Sequence, residues 1–256
     1  MTAHRHPILR WIAPAAILCV VMALIIAVVV LRPGARDEAA DPTKPAGTEA
    51  SGPTASSDAE QPLPTELAVP DLSGQERRQE GDPHAQGPVD APVVLVVFSD
   101  YQCKHCAQWH TKTLPAMQKY IQEGKLRVEW RDVYVFGEPS HRAARAVVAA
   151  GEQGKLHEYQ AALFEGGKVR SADTFTDEGL TALAVELGLD REKFVADLNS
   201  EKTWGVVQQN AEMGAKLGVM STPAFIVGGR PLVGAQPTEV FTAAVEDALA
   251  KAKNGG

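Results

Sequence analysis

Cysteine is scarce in this chain of 256 residues, which contains only Cys19, Cys103 and Cys106. Cys19 falls inside a long apolar run and is interpreted as an ordinary apolar residue, so a small fold stapled by several disulfides is excluded. Basic clusters are missing as well, since no run of Lys or Arg is interleaved with aromatic residues. A nucleic-acid partner is therefore not expected.

The formal net charge of -7 is unevenly distributed along the chain. Residues 1–32 carry +3, residues 33–90 carry -8, and the remainder carries -2. The acidic stretch is rich in Pro, Gly, Ala, Ser and Thr and has no Phe, Trp or Tyr. Such a composition cannot bury enough apolar surface to offset the entropy of ordering the chain. The sequence therefore predicts a disordered linker over residues 32–88.

The apolar run from Trp11 to Leu31 contains no charged residue. A helix needs about 20 apolar residues to cross the hydrocarbon layer of a membrane, so the run predicts a transmembrane anchor at 11–31 behind a short cytoplasmic N-terminus at 1–10. A cleaved signal peptide is the alternative, but its apolar core normally has only about 7–15 residues and ends at an A-x-A-like site. The basic residues flanking the run are balanced and leave its orientation open.

The pattern changes at residue 91, where the segment APVVLVVFSD is a continuous apolar run. Such a run is typical of a strand that is covered on both faces. The pair Cys103 and Cys106 follows it, and apolar residues then recur at helical spacing until Gly124, with Pro115 as an expected kink. Residues 125–136, KLRVEWRDVYVF, alternate apolar and charged side chains, which predicts a second strand.

Several segments of helical periodicity occupy residues 138–218. They are followed by two short apolar runs around Gly228 and Gly229, a pattern typical of a hairpin, and by a final amphipathic helix. The order of elements predicts an α/β domain over residues 89–253, with an all-helical subdomain inserted at about 138–218.

The two cysteines form a CxxC motif that allows several chemistries. A structural zinc site needs four ligands, but the chain has no second such pair, and neither His105 nor His110 has the spacing of a zinc finger. Attachment of a c-type haem requires His directly after the second cysteine, where this chain has Ala107. A purely structural disulfide would stabilise little, because the loop it closes is so short. A reactive redox pair explains the motif better.

A reactive pair needs one stable thiolate and a second thiol able to attack the mixed disulfide. At the start of a helix, Cys103 would face unpaired backbone N–H groups and the positive end of the helix dipole, which lower its pKa. Cys106 would be the less exposed, resolving thiol. The side chains of Lys104 and His105 would add positive charge beside the thiolate.

A stabilised thiolate favours the reduced form and makes the disulfide a stronger oxidant, so the sequence predicts a donor of disulfides. The alternatives are a reductase or isomerase that uses the same pair, and a redox-inert tethered module that binds a metal.

Three segments carry a specific resemblance: FSDYQCKHC, WRDVYVFGEPSHRAARAVVAAGEQGK and LGVMSTPAFIVGGRPLVGAQP. Over about residues 88–253 the chain resembles the DsbA-like thiol:disulfide oxidoreductases, whose thioredoxin fold is interrupted by a helical domain. The resemblance implies a cis-proline at Pro223, with Thr222 and Pro223 binding the client. Lys104 stands where relatives often have proline, so their redox potential is not carried over.

The resemblance also implies a cellular setting. The expected partners are reduced secreted or cell-envelope proteins and a quinone-linked membrane protein that restores the disulfide. The expected enzyme is a monomer without a cofactor. It would be held in the bacterial cell membrane by a single span, with its catalytic domain outside the cytoplasm.

Overall fold

The computed structural model of this chain describes residues 69–254. The strands are β1 (Ala85–Gln86), β2 (Val93–Ser99), β3 (Leu126–Asp132), β4 (Ala224–Val227) and β5 (Arg230–Val233). The helices are α1 (Lys104–Lys112), α2 (Leu114–Gln122), α3 (Glu138–Gly151), α4 (Leu156–Leu163), α5 (Asp177–Glu186), α6 (Arg191–Leu198), α7 (Glu201–Lys216) and α8 (Thr238–Asn254). Two short 3-10 turns, Glu165–Gly167 and Ala172–Thr174, lie between α4 and α5.

The strands form one mixed sheet in the order β1-β3-β2-β4-β5. The central strands β2 and β3 are parallel, and the other neighbours are antiparallel. Every residue of β2 and β3 is buried, which agrees with the continuous apolar run predicted for the first of them. The α/β architecture predicted from the sequence is confirmed.

Alternate residues of the central strands build two separate cores. Leu95 and Val128 point to the face covered by α1, α2 and α8, where they join Trp109, Met117 and Phe241. The opposite face holds a smaller core, which is covered by the end of α7 and by the segment before β1. Its residues are Val94, Val96, Phe98, Val133, Ala224 and Ile226, with Leu72, Met213, Leu217 and Val219 packed against them.

Local sequence signals explain where several elements begin and end. The helix after the cysteines ends at Lys112, and a new helix begins at Leu114. Pro115 therefore lies in the first turn of α2. Backbone N–H groups in the first turn of a helix have no partner within the helix, so the missing N–H of proline costs no hydrogen bond there. The hairpin between β4 and β5 turns at Gly228 and Gly229, both with positive φ (51° and 83°). Five helices lie between β3 and β4, where the helical insertion was predicted.

The segment before β1 differs from the prediction, which extended the linker to residue 88. The backbone N–H groups of Arg77 and Arg78 donate to the carboxylate of Glu129 at 2.7 and 2.8 Å. Residues 85–86 then pair with β3 at the edge of the sheet. The folded domain therefore begins well before residue 89. Buried charged groups hold this polar segment together with the apolar side chain of Leu72, and a composition rule does not detect the charged contacts.

The predicted cytoplasmic N-terminus and the transmembrane anchor at 11–31 lie outside the described residues, as does most of the linker. Within residues 69–254, no helix combines the length and the apolar character needed to span a membrane.

Candidate active site

The two cysteines lie where β2 passes into α1. The strand ends at Ser99, and the N–H of Cys103 donates to the carbonyl oxygen of Asp100 at 3.1 Å, which closes the turn. Cys103 is the residue that caps the N-terminus of α1, and Cys106 lies in the first helical turn. Both are free thiols and both are buried, with exposed fractions of 3% and 1%. Cys106 was predicted to be the less exposed of the two, and the structure buries both almost completely.

The two thiols have opposite pKa shifts. A hydrogen bond from the Cys106 thiol is the main cause that lowers the pKa of Cys103, from an ordinary 9.0 to about 5. The side chain of Thr222 and the backbone N–H groups of Cys106 and His105 lower it further, while burial opposes them. Burial raises the pKa of Cys106 well above its ordinary value, and the neighbouring Cys103 adds to this shift. The pair therefore holds one thiolate and one proton near neutral pH.

A loop from the other end of the chain covers Cys103. Its sulfur lies 3.1 Å from the carbonyl oxygen of Thr222, so the thiol form can donate to that oxygen. The Thr222 hydroxyl is buried and no other described group competes for its proton, so it can donate to the thiolate form of Cys103, which is how it lowers the pKa of that thiol. The peptide bond between Thr222 and Pro223 is cis, as the resemblance implied.

Lys104 and His105, the residues predicted to tune the thiolate, are exposed, whereas the two cysteines are buried. Both residues lie on the first turn of α1. At the sulfur of Cys103, His105 acts through its backbone N–H, which is a consequence of the helix start rather than of the imidazole. The electrostatic role of the two cationic side chains stays a prediction.

Asp100 is a fully buried residue that the sequence reasoning left out of the site. Its carboxylate accepts hydrogen bonds from the hydroxyl of Ser140 at 2.6 Å and from the backbone N–H groups of Gln102 at 2.8 Å and Phe136 at 3.1 Å. Ser140 belongs to α3, so Asp100 joins the cysteine turn to the helical insertion. The sequence signal was an acidic residue directly after a buried strand, but two of its three partners, Phe136 and Ser140, lie 36 and 40 positions away.

A second buried polar group lies on the cysteine side of the sheet. The hydroxyl of Tyr101 donates to Asp132 at 2.8 Å and accepts from the side-chain amide of Gln160 at 2.9 Å. Burial raises the pKa of Asp132 to about 7. Asp132 is the in-register neighbour of Ser99 across the parallel strands, and the side chain of Ser99 partly offsets the raised pKa of Cys106.

Large apolar side chains are exposed near the turn. Phe136 is 55% exposed and is held next to the turn by its bond to Asp100, and Met220, two residues before Thr222, is 84% exposed. Such exposed apolar groups can contact an extended polypeptide. Among residues 69–254, no cluster of three His, Cys, Asp or Glu side chains is arranged to hold a metal ion.

The chain matches the family model described as Thioredoxin over residues 79–247. Among curated relatives, it is 31% identical over 177 residues to the Na(+)/H(+) antiporter NhaA 3 of Salinispora tropica. That match covers 66% of this chain and 25% of the antiporter, so the chain spans only about a quarter of the length of that relative. It is also 27% identical over 148 residues to the probable disulfide bond formation protein D of Bacillus anthracis, covering 56% of this chain and 68% of the relative.

The fold is similar to that of BdbD from Bacillus subtilis, solved in its oxidised form. The TM-score is 0.60 at 23% identity, and the likeness covers 65% of this chain and 92% of that structure. At this identity the likeness supports the fold, and the chemistry has to be argued from the residues themselves.

Proposed function

This chain belongs to the thioredoxin family, and we propose that it is a DsbA-like thiol:disulfide oxidoreductase. It would work as a dithiol oxidase that transfers its Cys103–Cys106 disulfide to reduced client proteins. The observation that carries this direction is the low pKa of Cys103, about 5. A thiolate that is stable at neutral pH favours the reduced enzyme, so the disulfide gains a strong tendency to accept electrons.

The reaction proceeds by two exchanges. A client thiolate attacks the sulfur of Cys103, the bond between the two enzyme sulfurs breaks, and Cys106 leaves as a thiolate that takes up a proton. A second client thiolate then attacks the client sulfur of the mixed disulfide and releases Cys103 as a thiolate. The client is oxidised by two electrons and the enzyme pair is reduced by two.

The shifts of the two cysteines support these roles. Cys103 is a good leaving group in the second exchange because its thiolate is stabilised by several hydrogen bonds. Cys106 is buried and its pKa is raised, so it holds its proton after the first exchange; on losing that proton it can attack Cys103 and resolve an unproductive mixed disulfide. Thr222 and Pro223 would contact the client beside Cys103, with Phe136 and Met220 supplying apolar surface on its flanks.

The cellular setting belongs to the same proposal. A membrane anchor and an extracytoplasmic catalytic domain fit the apolar run at residues 11–31 and the need for an oxidising compartment. Reduced envelope proteins would be the clients of a monomeric enzyme that needs no cofactor. A quinone-linked membrane protein would regenerate the disulfide. The described chain begins near the β4–β5 turn, at the end of the sheet opposite the cysteines, which suits a head presented on a tether.

The test is the reduction potential of the Cys103–Cys106 pair, measured by equilibration with glutathione buffers. A value near the roughly -120 mV of strong periplasmic oxidants supports an oxidase. A value near the roughly -270 mV of thioredoxin would replace it with a reductase. Tight metal binding without oxidation of a dithiol peptide would instead indicate the metal-binding module.

Single substitutions test the order of the two exchanges. Cys103→Ser is expected to abolish oxidation of a dithiol peptide, whereas Cys106→Ser is expected to accumulate mixed disulfides with clients. Cys19→Ser is the matched control and should oxidise the peptide at the rate of the unmodified chain. An active Cys103→Ser variant would overturn the mechanism.

A further inference from the structure

An open groove of about 500 Å³ lies between β5 and α8, away from the cysteines. Its floor is built from small and apolar residues: Val227, Gly228, Leu232, Ala244 and Ala248. Val69 and Val240 on its walls are 54% and 40% exposed. No described residue covers this apolar surface. An exposed apolar surface of this kind favours the binding of an apolar segment.

The described chain enters this groove at one end. The N–H of Leu72 donates to the carbonyl oxygen of Gly229 at 2.7 Å, at the turn between β4 and β5. Three residues earlier, Val69 itself lines the groove. The other end of the groove is lined by Glu239 and Val240, at the start of α8. The residues before Val69 therefore begin beside the groove.

The sequence before Val69 has the chemistry that this groove accepts. Residues 33–61 contain no Val, Leu, Ile, Met, Phe, Trp or Tyr. The first large apolar side chains after that stretch are Leu63 and Leu67, four positions apart, and Val69 follows two positions later. In an extended chain, residues spaced by two project to the same side. Prolines at positions 62 and 64 favour an extended backbone.

The length of the groove also agrees with the length of the segment before Val69. From Glu239 to Lys251, the groove follows α8 for about 18 Å at a helical rise of 1.5 Å per residue. Seven residues in an extended strand conformation cover about 23 Å at about 3.3 Å per residue. Residues 62–68 are thus sufficient to fill the groove from end to end.

We propose that residues 62–68 of this chain bind in the groove between β5 and α8, with Leu63 and Leu67 against its apolar floor. This inference is independent of the redox chemistry. Binding moves the point at which the preceding chain leaves the domain, from the β4–β5 turn to the start of α8. That is the end of the sheet at which β5 meets the Pro223 loop, through the bond from Gly234 N–H to the Pro223 carbonyl oxygen.

Hydrogen–deuterium exchange on the full chain in detergent micelles tests the proposal. The backbone amides of residues 65–68 are expected to exchange roughly tenfold or more slowly than those of residues 50–57. The double variant Leu63→Ser with Leu67→Ser should lose this protection and speed exchange in β5. The matched control, Ala55→Ser with Ala59→Ser, should change neither region.

A substitution in the groove itself tests the contribution of the domain to this binding. Ala243 is exposed on the lip of the groove, so Ala243→Trp can obstruct the groove without disturbing the core, and it should free residues 65–68. Fast exchange of these residues in the unmodified chain, or protection that survives both variants, would overturn the proposal. Protection that rises with protein concentration would also overturn it, because the occupant would then be the segment of a second copy.

Discussion

The sulfur of Cys103 lies 3.1 Å from the backbone carbonyl oxygen of Thr222, although 119 positions separate the two residues in the chain. The antiparallel pairing of β4 with β2 brings them together. Because Ala224 pairs with Phe98, the residues before β4 and the residues after β2 lie at the same end of the sheet. The sulfur of Cys103 is thus contacted both by a local motif, the start of α1, and by a distant loop.

Replacing Thr222 by Val tests the contribution of that loop to the thiolate. The Thr222 hydroxyl lowers the pKa of Cys103, and Val has a similar shape but no hydrogen-bond donor. A hydrogen bond to a charged group contributes about 1.5–3 kcal/mol, so we expect the pKa of Cys103 to rise by roughly one unit or more. Thiolate absorbance followed as a function of pH measures this change. Ser221→Ala, at an exposed neighbouring position, is the control, and an unchanged pKa in Thr222→Val would refute the assignment.

The stability of the reduced protein should depend on pH through Cys103. Its pKa is about 5 in the folded state, against about 8.5 in an unfolded chain. Between these values the unfolded state binds one more proton, so the free energy of unfolding rises with pH by up to about 1.4 kcal/mol per pH unit and is lost as pH falls toward 5. Burial keeps Cys106 protonated in the folded state, whereas in the unfolded chain it also titrates at about 8.5, so it opposes this rise only near the top of the window.

Urea unfolding of the reduced protein at several pH values between 5 and 8.5 measures this dependence. Cys103→Ala should remove it, and the difference between the two proteins isolates the cysteine, because Asp132 titrates in both. Parallel curves for the two proteins would contradict the low pKa of Cys103.

Replacing Glu129 by Ala should destabilise the domain strongly. Its carboxylate bonds to Arg127 and Arg131 at 2.9 and 2.7 Å, and Arg131 is fully buried. Removing one partner of a buried pair leaves an uncompensated charge and costs about 3–5 kcal/mol. The substitution also leaves the N–H groups of Arg77 and Arg78 without their acceptor. Denaturant unfolding measures the loss of stability.

The control for this substitution is Glu123→Ala, which removes an exposed ion pair with Lys125. Exposed pairs contribute little, so its effect should stay below about 1 kcal/mol. If Glu129→Ala does not fold, Glu129→Gln keeps the size and one acceptor oxygen and should give an intermediate loss. Equal stability of the Glu129 and Glu123 variants would show that the buried cluster does not hold the N-terminal segment.

Much of the domain follows from local sequence patterns. The apolar run of β2, the alternation in β3, the glycine pair of the β4–β5 hairpin and the helical periodicity of the insertion each predicted their element, because neighbours along the chain determine these patterns. The CxxC motif at the start of a helix likewise predicted the redox pair and the direction of its pKa shift. Pro223 was named through the family resemblance, since most X-Pro bonds are trans.

Other features depended on contacts between distant parts of the chain. Asp100 and Asp132 appear in the sequence as ordinary acidic residues beside strands, and their burial depends on Ser140, Tyr101 and Gln160, which the helical insertion and the cysteine turn bring to them. The segment before β1 has the composition of a linker, yet the carboxylate of Glu129 binds its backbone. The sequence by itself determined most of the secondary structure and the position of the cysteine pair at the start of a helix, because both depend on adjacent residues. Only the tertiary structure decided which polar groups surround them, because the topology of the sheet sets those distances.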